Sequence, residues 1–98
     1  YTGDFIDAKE AERLGLLSRV VPLADLMKVT MELAGKIARG PAIALALTKR
    51  LVYDSFYETL EVHLDRESFA LEVAEKTEDF DEGVKSFMEK REPVFKGR

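Results

Sequence analysis

The residues of this chain that could carry catalytic chemistry are few. The only histidine is His63, two residues away from Glu61 and from Asp65. One histidine cannot form a Ser–His or His–His site, and general acid–base catalysis favours a group held in an apolar pocket rather than among charges. We therefore interpret His63 as a solvated or interface residue. The sequence contains no cysteine, which excludes a thiolate nucleophile, a disulfide framework and a Cys-ligated zinc site.

Carboxylates and glycines give no complete site either. An acidic cluster comprises Glu78, Asp79, Asp81 and Glu82, but it lacks the glycine and the alternation of a calcium-binding loop. Its position predicts the first turn of a helix, where the dipole favours negative charge. The six glycines are scattered along the chain, so no glycine-rich phosphate loop is present.

The charge is segregated along the sequence. The net charge is −4 overall, close to neutral over residues 1–57, strongly negative over 58–82 and positive over 83–98. An acidic total argues against a nucleic-acid-binding protein, which needs a surplus of basic groups. The basic pairs and tail residues that could hold a phosphate are Lys49, Arg50, Lys90, Arg91, Lys96 and Arg98. No apolar run is long enough to span a membrane.

The elements that would position these groups are mainly helices. A length of 98 residues suits one small domain. Capping residues and helical periodicity predict four to five helices. We predict them over residues 8–14, 23–39, 41–55, 57–76 and 77–91. The extended segments 1–6 and 20–21 predict one or two short edge strands whose partner strands are not in this sequence. The fold class is therefore mainly α.

The acidic helix at 57–76 carries two apolar stripes. One contains Leu60, Leu64, Leu71 and Ala74, and the other contains Val62, Phe69 and Val73. A surface helix of a monomer needs only one such stripe. We therefore expect the second stripe, Val62, Phe69 and Val73, to contact a neighbouring subunit or another part of the protein.

Motifs distributed over the whole chain resemble the C-terminal region of the enoyl-CoA hydratase/isomerase family, the crotonase family. The segments that carry the resemblance are Tyr1–Ala8, Glu10–Ala11, Gly15–Leu17, Arg19–Pro22, Ala38–Pro41, Thr48–Lys49, Thr77–Val84, Phe87, Glu89–Arg91, Pro93 and Phe95. The resemblance implies the C-terminal helical part of a ClpP/crotonase-like fold. Residues 1–22 would end a spiral core of repeated ββα units, and residues 23–98 would form a C-terminal helical domain.

The resemblance also implies an activity. Crotonase-like enzymes bind acyl-CoA thioesters, and two backbone N–H groups stabilise the charge that develops on the thioester oxygen. Hydratases and isomerases of this kind are lyases or isomerases of fatty acid metabolism and need no covalently bound cofactor. In the family, the oxyanion hole and the acid–base residues lie in the N-terminal region, upstream of the position that corresponds to Tyr1. The resemblance therefore implies no catalytic residue and no metal ligand within this segment, which alone is expected to be inactive.

Two residues are candidates for coenzyme A contact by the same resemblance. Lys90 matches a lysine that contacts the nucleotide end of coenzyme A in some members. Leu71 stands where some members carry an aromatic residue beside the adenine, and leucine cannot stack in the same way. The resemblance further implies a cytoplasmic enzyme that self-associates as a trimer or a dimer of trimers, with Val62, Phe69 and Val73 at the interface.

Two other interpretations of the sequence are possible. The chain could be a stand-alone helical assembly module, or a small acyl-CoA-binding bundle without catalysis. The hypothesis that the chain is part of an enzyme predicts that the protein continues upstream of Tyr1 into a sheet with glycine-rich loops. Either module would instead start near Tyr1.

Overall fold

The computed structural model describes residues 1–98, and its regular structure is entirely helical. The helices are α1 (Ala8–Arg13), α2 (Leu26–Ala38), α3 (Ala42–Asp54), α4 (Leu60–Glu75) and α5 (Glu78–Glu89), and a 3-10 turn (Leu23–Asp25) precedes α2. None of these helices combines the length and the apolar character that crossing a membrane requires. The prediction of a mainly α chain is confirmed.

The helix starts follow from side chains that cap them. The Asp7 carboxylate accepts a hydrogen bond from the Glu10 N–H at 2.8 Å, and the Thr77 hydroxyl accepts one from the Phe80 N–H at 3.1 Å. These side chains satisfy N–H groups that the first turn would otherwise leave unpaired. The start of α4 at Leu60 is later than expected because Thr59 takes the capping position.

The prediction of edge strands is wrong, because the structure contains no strand. Gly3 has a left-handed backbone with φ of 72°, which interrupts the extended segment at 1–6. In a strand, the Val20 N–H would donate a hydrogen bond to a neighbouring strand. Here it donates one to the Glu12 carboxylate at 3.0 Å. Isolated extended segments do not form strands without a paired backbone.

The chain divides into two compact units, Tyr1–Ala34 and Gly35–Arg98. In the first unit, Gly15 follows the C-cap residue of α1 and adopts a φ of 77°. The chain then folds back so that the N–H groups of Leu16 and Leu17 both donate hydrogen bonds to the Ala11 carbonyl. The division predicted at residue 22 concerns the architecture of a longer fold and stays a prediction.

In the second unit, α4 packs against both α3 and α5. The only buried hydrophobic residue is Ala70, which is 7% exposed and lies where α4 meets α3. A methyl side chain at this point lets the two helices approach closely. The segment after α5 returns along that helix, with Phe95 beside Gly83 and Gly97 beside Ala42.

Most apolar side chains remain exposed, including those expected in helix stripes. The exposed set includes Leu60, Val62, Leu64, Phe69, Leu71 and Val73 on α4 and Phe80, Val84, Phe87 and Met88 on α5. Contiguous exposed apolar surface of this kind is typical of surfaces that bind another protein surface or a ligand.

Candidate functional site

Lys90 lies at the C-terminal end of α5 with an unusual backbone conformation. Its φ of 54° and ψ of 42° make it the only residue other than glycine with a left-handed backbone. The Lys90 N–H donates a hydrogen bond to the Phe87 carbonyl at 3.2 Å, and the Arg91 N–H donates one to the Ser86 carbonyl at 3.0 Å. These bonds close the helix end. The Lys90 side chain is exposed, and no ion pair of the structure uses its ammonium.

Arg91, the next residue, is fixed by a network of ionic hydrogen bonds. Its guanidinium binds both oxygens of the Glu82 carboxylate, with Nη1–Oε1 at 2.6 Å and Nη2–Oε2 at 2.9 Å. Its Nε donates to Glu89 at 2.7 Å, and Glu82 also accepts the Val94 N–H at 2.9 Å. A bidentate pair of this kind restricts orientation as well as adding energy.

These hydrogen bonds also keep Glu82 ionised. The Arg91 guanidinium, and after it the N–H of Val94, lower the pKa of the Glu82 carboxyl to about 2. The same carboxylate raises the pKa of Arg91 above its ordinary value. Both groups therefore carry full charge throughout the neutral pH range.

Leu71 lies in a different part of the structure from Lys90. It is 55% exposed and lines a groove of about 470 Å³ between α3 and α4, together with Leu47, Leu64 and Ala74. Lys90 does not line this groove. The two residues expected at coenzyme A therefore do not share this groove, and their contact with coenzyme A stays a prediction. The aromatic residue that lies near Lys90 is Phe87, which is one helical turn earlier and 82% exposed.

The stripe predicted as an interface lies on the other side of Ala70. Val62 and Phe69 line a groove of about 390 Å³ with Leu47, Leu51 and Ala70, and Arg50, Asp54, Asp65 and Arg66 are charged residues of the same lining. Val73 continues the stripe along α4 and is 37% exposed. Residues separated by seven and eleven positions share one helix face, so all three side chains are available to one partner surface.

A polar cluster at the junction of α3 and α4 was missed by the sequence analysis. Arg66 contacts the Glu58 carboxylate and lies 2.9 Å from Asp54 Oδ2. Glu58 is only 11% exposed, and its Oε2 lies 3.7 Å from His63 Nδ1. Neither of these two atoms has a hydrogen-bond partner in the structure. His63 is therefore half-buried beside a carboxylate, and the signal in the sequence was the spacing of Asp54, Glu58 and Arg66 around it.

We expect Arg66→Met to lower the free energy of unfolding by about 1 to 2 kcal/mol. The change leaves the largely buried Glu58 carboxylate without its cation, and the half-exposed position of Arg66 limits the loss. Arg98→Met serves as the control, because it removes the exposed ion pair with Glu78 in the same unit. Chemical denaturation of both variants measures the difference. Equal stabilities would contradict the role assigned to Arg66.

Three of the four carboxylates of the acidic cluster at the start of α5, those of Glu78, Asp79 and Glu82, accept hydrogen bonds from this chain's own donors. Asp79 is 3% exposed and accepts the N–H groups of Lys96 at 2.6 Å and Gly97 at 2.8 Å. Glu82 binds Arg91 as described. The structure gathers no group of three or more metal-ligating side chains.

Comparison with known proteins gives a consistent result over the whole chain. A family model described as enoyl-CoA hydratase/isomerase matches residues 1–98. The chain is 35% identical to the 2,3-dehydroadipyl-CoA hydratase of Escherichia coli over 97 residues, which are 99% of this chain and 38% of the relative. It is 31% identical to the 1,2-epoxyphenylacetyl-CoA isomerase of the same organism, over 98% of this chain and 37% of that protein.

The fold agrees with the same group of proteins. The crystal structure of an enoyl-CoA hydratase, subunit I, from Geobacillus kaustophilus superposes with a TM-score of 0.92 at 40% identity. The match covers 99% of this chain and 38% of that structure. The chain thus spans little more than a third of the length of the relatives it matches. Because the family model covers every residue, the chain belongs to the enoyl-CoA hydratase/isomerase family.

Proposed function

We propose that residues 1–98 form the C-terminal helical part of an enzyme of fatty acid metabolism that acts on acyl-CoA thioesters, by hydration or by a double-bond shift. The observation that supports this most directly is the family match over all 98 residues. The matched relatives include both a hydratase and an isomerase, so the family alone does not select the reaction. A cytoplasmic location, which the absence of cysteine permits, belongs to the same proposal.

The role that we assign to this chain is binding rather than chemistry. Lys90 presents an exposed ammonium at the end of α5, and an ammonium is a suitable point charge for a phosphate group. Phe87, exposed one turn before it, offers a ring on which a purine base can stack. Contacts to the nucleotide, far from the reacting bond, supply binding energy that orients the thioester for catalysis.

Assembly is the second role that we propose for this chain. Val62, Phe69 and Val73 are exposed on one face of α4, although apolar side chains on the opposite stripe of the same helix are exposed as well. We assign the stripe of Leu60, Leu64 and Leu71 to contacts within the subunit, and the stripe of Val62, Phe69 and Val73 to a neighbouring subunit. A trimer or a dimer of trimers is the assembly that we propose.

Lys90→Ala in the full-length protein is expected to weaken coenzyme A binding about tenfold, the equivalent of one charge-assisted hydrogen bond. Lys76→Ala is a matched control, because Lys76 is also an exposed lysine at the C-terminal cap of a helix. We expect the control to bind within twofold of the unchanged protein. Isothermal titration calorimetry with coenzyme A measures both.

The control separates ligand contact from a general effect of charge. If Lys90 served only to complement the dipole of α5, removing it would affect helix stability by some tenths of a kcal/mol and leave coenzyme A binding unchanged. Equal effects of the two substitutions, or no effect of either, would contradict the assignment of Lys90 to the ligand.

A further inference from the structure

The left-handed conformation of Lys90 is costly for a residue that has a Cβ atom. Glycine normally takes this position after a helix because it avoids the steric clash. The chain follows that rule at Gly15, which comes directly after the C-cap residue of α1 and has a φ of 77°. At the end of α5 it has a lysine with a φ of 54° instead. Strained backbone persists only where the surroundings determine it, and it occurs most often at functional positions.

The contacts that surround this conformation are those of Glu82 and Arg91. Arg91 follows Lys90 directly, and its guanidinium is held by both oxygens of Glu82, which lies two turns earlier on α5. The same guanidinium binds Glu89, the residue before Lys90, and the Glu92 carbonyl at 3.1 Å. Both neighbours of Lys90 are therefore tied to one charged group, while its own side chain is left exposed.

We propose that Glu82 and Arg91 are positioning residues, which hold Lys90 in its left-handed conformation so that its ammonium points toward the phosphate groups of acyl-CoA. The inference rests on the proposed function and deepens it, because it names the residues that orient the lysine. Neither Glu82 nor Arg91 needs to touch the ligand. Their effect on binding passes through Lys90.

Glu82→Gln in the full-length protein gives a test in which positioning and simple electrostatics have opposite signs. The substitution removes a negative charge near an anionic ligand, so Coulomb attraction alone predicts tighter binding of coenzyme A. Positioning predicts binding three- to fivefold weaker. Glu78→Gln is the matched control, because it removes the same charge from the same helix and breaks only the exposed pair with Arg98. We expect no weakening in the control.

A double-mutant cycle shows whether the effect passes through the lysine. If Glu82 acts by orienting Lys90, then Glu82→Gln has no further effect on the affinity for coenzyme A in a Lys90→Ala background. A merely structural role predicts the same loss in both backgrounds. Arg91→Lys, which keeps the charge but loses the two-pronged contact, should behave like Glu82→Gln and covers the case in which that variant does not fold.

The outcomes distinguish the inference from the proposed function. If Lys90→Ala leaves coenzyme A binding unchanged, the proposed contact is wrong and the positioning role falls with it. If Lys90→Ala weakens binding but Glu82→Gln and Arg91→Lys do not, the contact stands and the positioning role is wrong. Additive losses in the double variants also overturn the positioning role.

Discussion

Replacing Asp79 by alanine is expected to lower the free energy of unfolding by about 3 kcal/mol, since hydrogen bonds to a charged acceptor contribute about 1.5 kcal/mol each. The Asp79 carboxylate is 3% exposed and accepts two backbone N–H groups from the C-terminal segment, those of Lys96 and Gly97. Alanine leaves both donors without their acceptor. The two hydrogen bonds hold the C-terminal segment against α5. Because unpaired N–H groups are costly when buried, we expect the segment to detach from α5 in the variant, where water can pair with them.

The measurement is chemical denaturation together with hydrogen exchange of the amides of Lys96 and Gly97, which should lose protection. Asp81→Ala is the control, because Asp81 carries the same charge in the same first turn and is exposed. It should cost less than about 1 kcal/mol, the value of a charge at a helix N-terminus. Asp79→Asn should fall between the two. Equal losses for Asp79→Ala and Asp81→Ala would show that only the helix dipole is involved.

Phe69→Glu in the full-length protein is expected to weaken self-association at least a hundredfold, equivalent to about 2.7 kcal/mol. A carboxylate in an apolar contact must give up its hydration when the subunits associate. Phe69 is 67% exposed on α4, so the glutamate is well hydrated in the free subunit and the fold should be retained. Val73→Glu, on the same face, should act in the same direction.

Sedimentation of the variants over a range of concentrations measures the change. Lys76→Gln is the control, because it makes the same change in net charge at an exposed residue of the same region, whose side chain is 73% exposed. It should sediment like the unchanged protein. If both glutamate variants also do so, the stripe formed by Val62, Phe69 and Val73 is not an interface.

The helices could be predicted from the sequence because their signals are local. Asp7 and Thr77 cap the first turns of α1 and α5, and each cap lies next to the apolar periodicity that it starts. Gly15 ends α1 for an equally local reason, because it accepts the left-handed backbone. The predicted start of α4 at Tyr57 was too early, because tyrosine cannot cap a first turn and Thr59, two residues later, does.

Some of the contacts that the sequence analysis missed join distant parts of the chain. The contacts of Asp79 join residues seventeen and eighteen positions apart, and nothing in the local sequence pairs that carboxylate with the tail. The prediction of edge strands was wrong for a related reason. Val20 and Val21 have a high β propensity, but a segment does not form a strand without a partner strand. Glu12 instead accepts the Val20 N–H.

The candidate site could be predicted only in part. Lys90 was singled out by resemblance, and the structure shows it exposed in a strained conformation that no sequence pattern indicates, because lysine is not the residue expected there. Leu71 was singled out by the same resemblance and lies in a groove that Lys90 does not line. The contacts that hold Arg91 became visible only when α5 and the segment after it were placed together.

We propose that these 98 residues belong to a longer acyl-CoA enzyme, and the coding sequence immediately upstream of Tyr1 tests that proposal most directly. We predict that the reading frame continues for about 150 residues, the size of one further domain, with glycine-rich turns and a glutamate able to transfer protons. An initiator methionine directly before Tyr1 would contradict the claim. The chain would then be a helical binding or assembly module that shares only the end of the enzyme's fold.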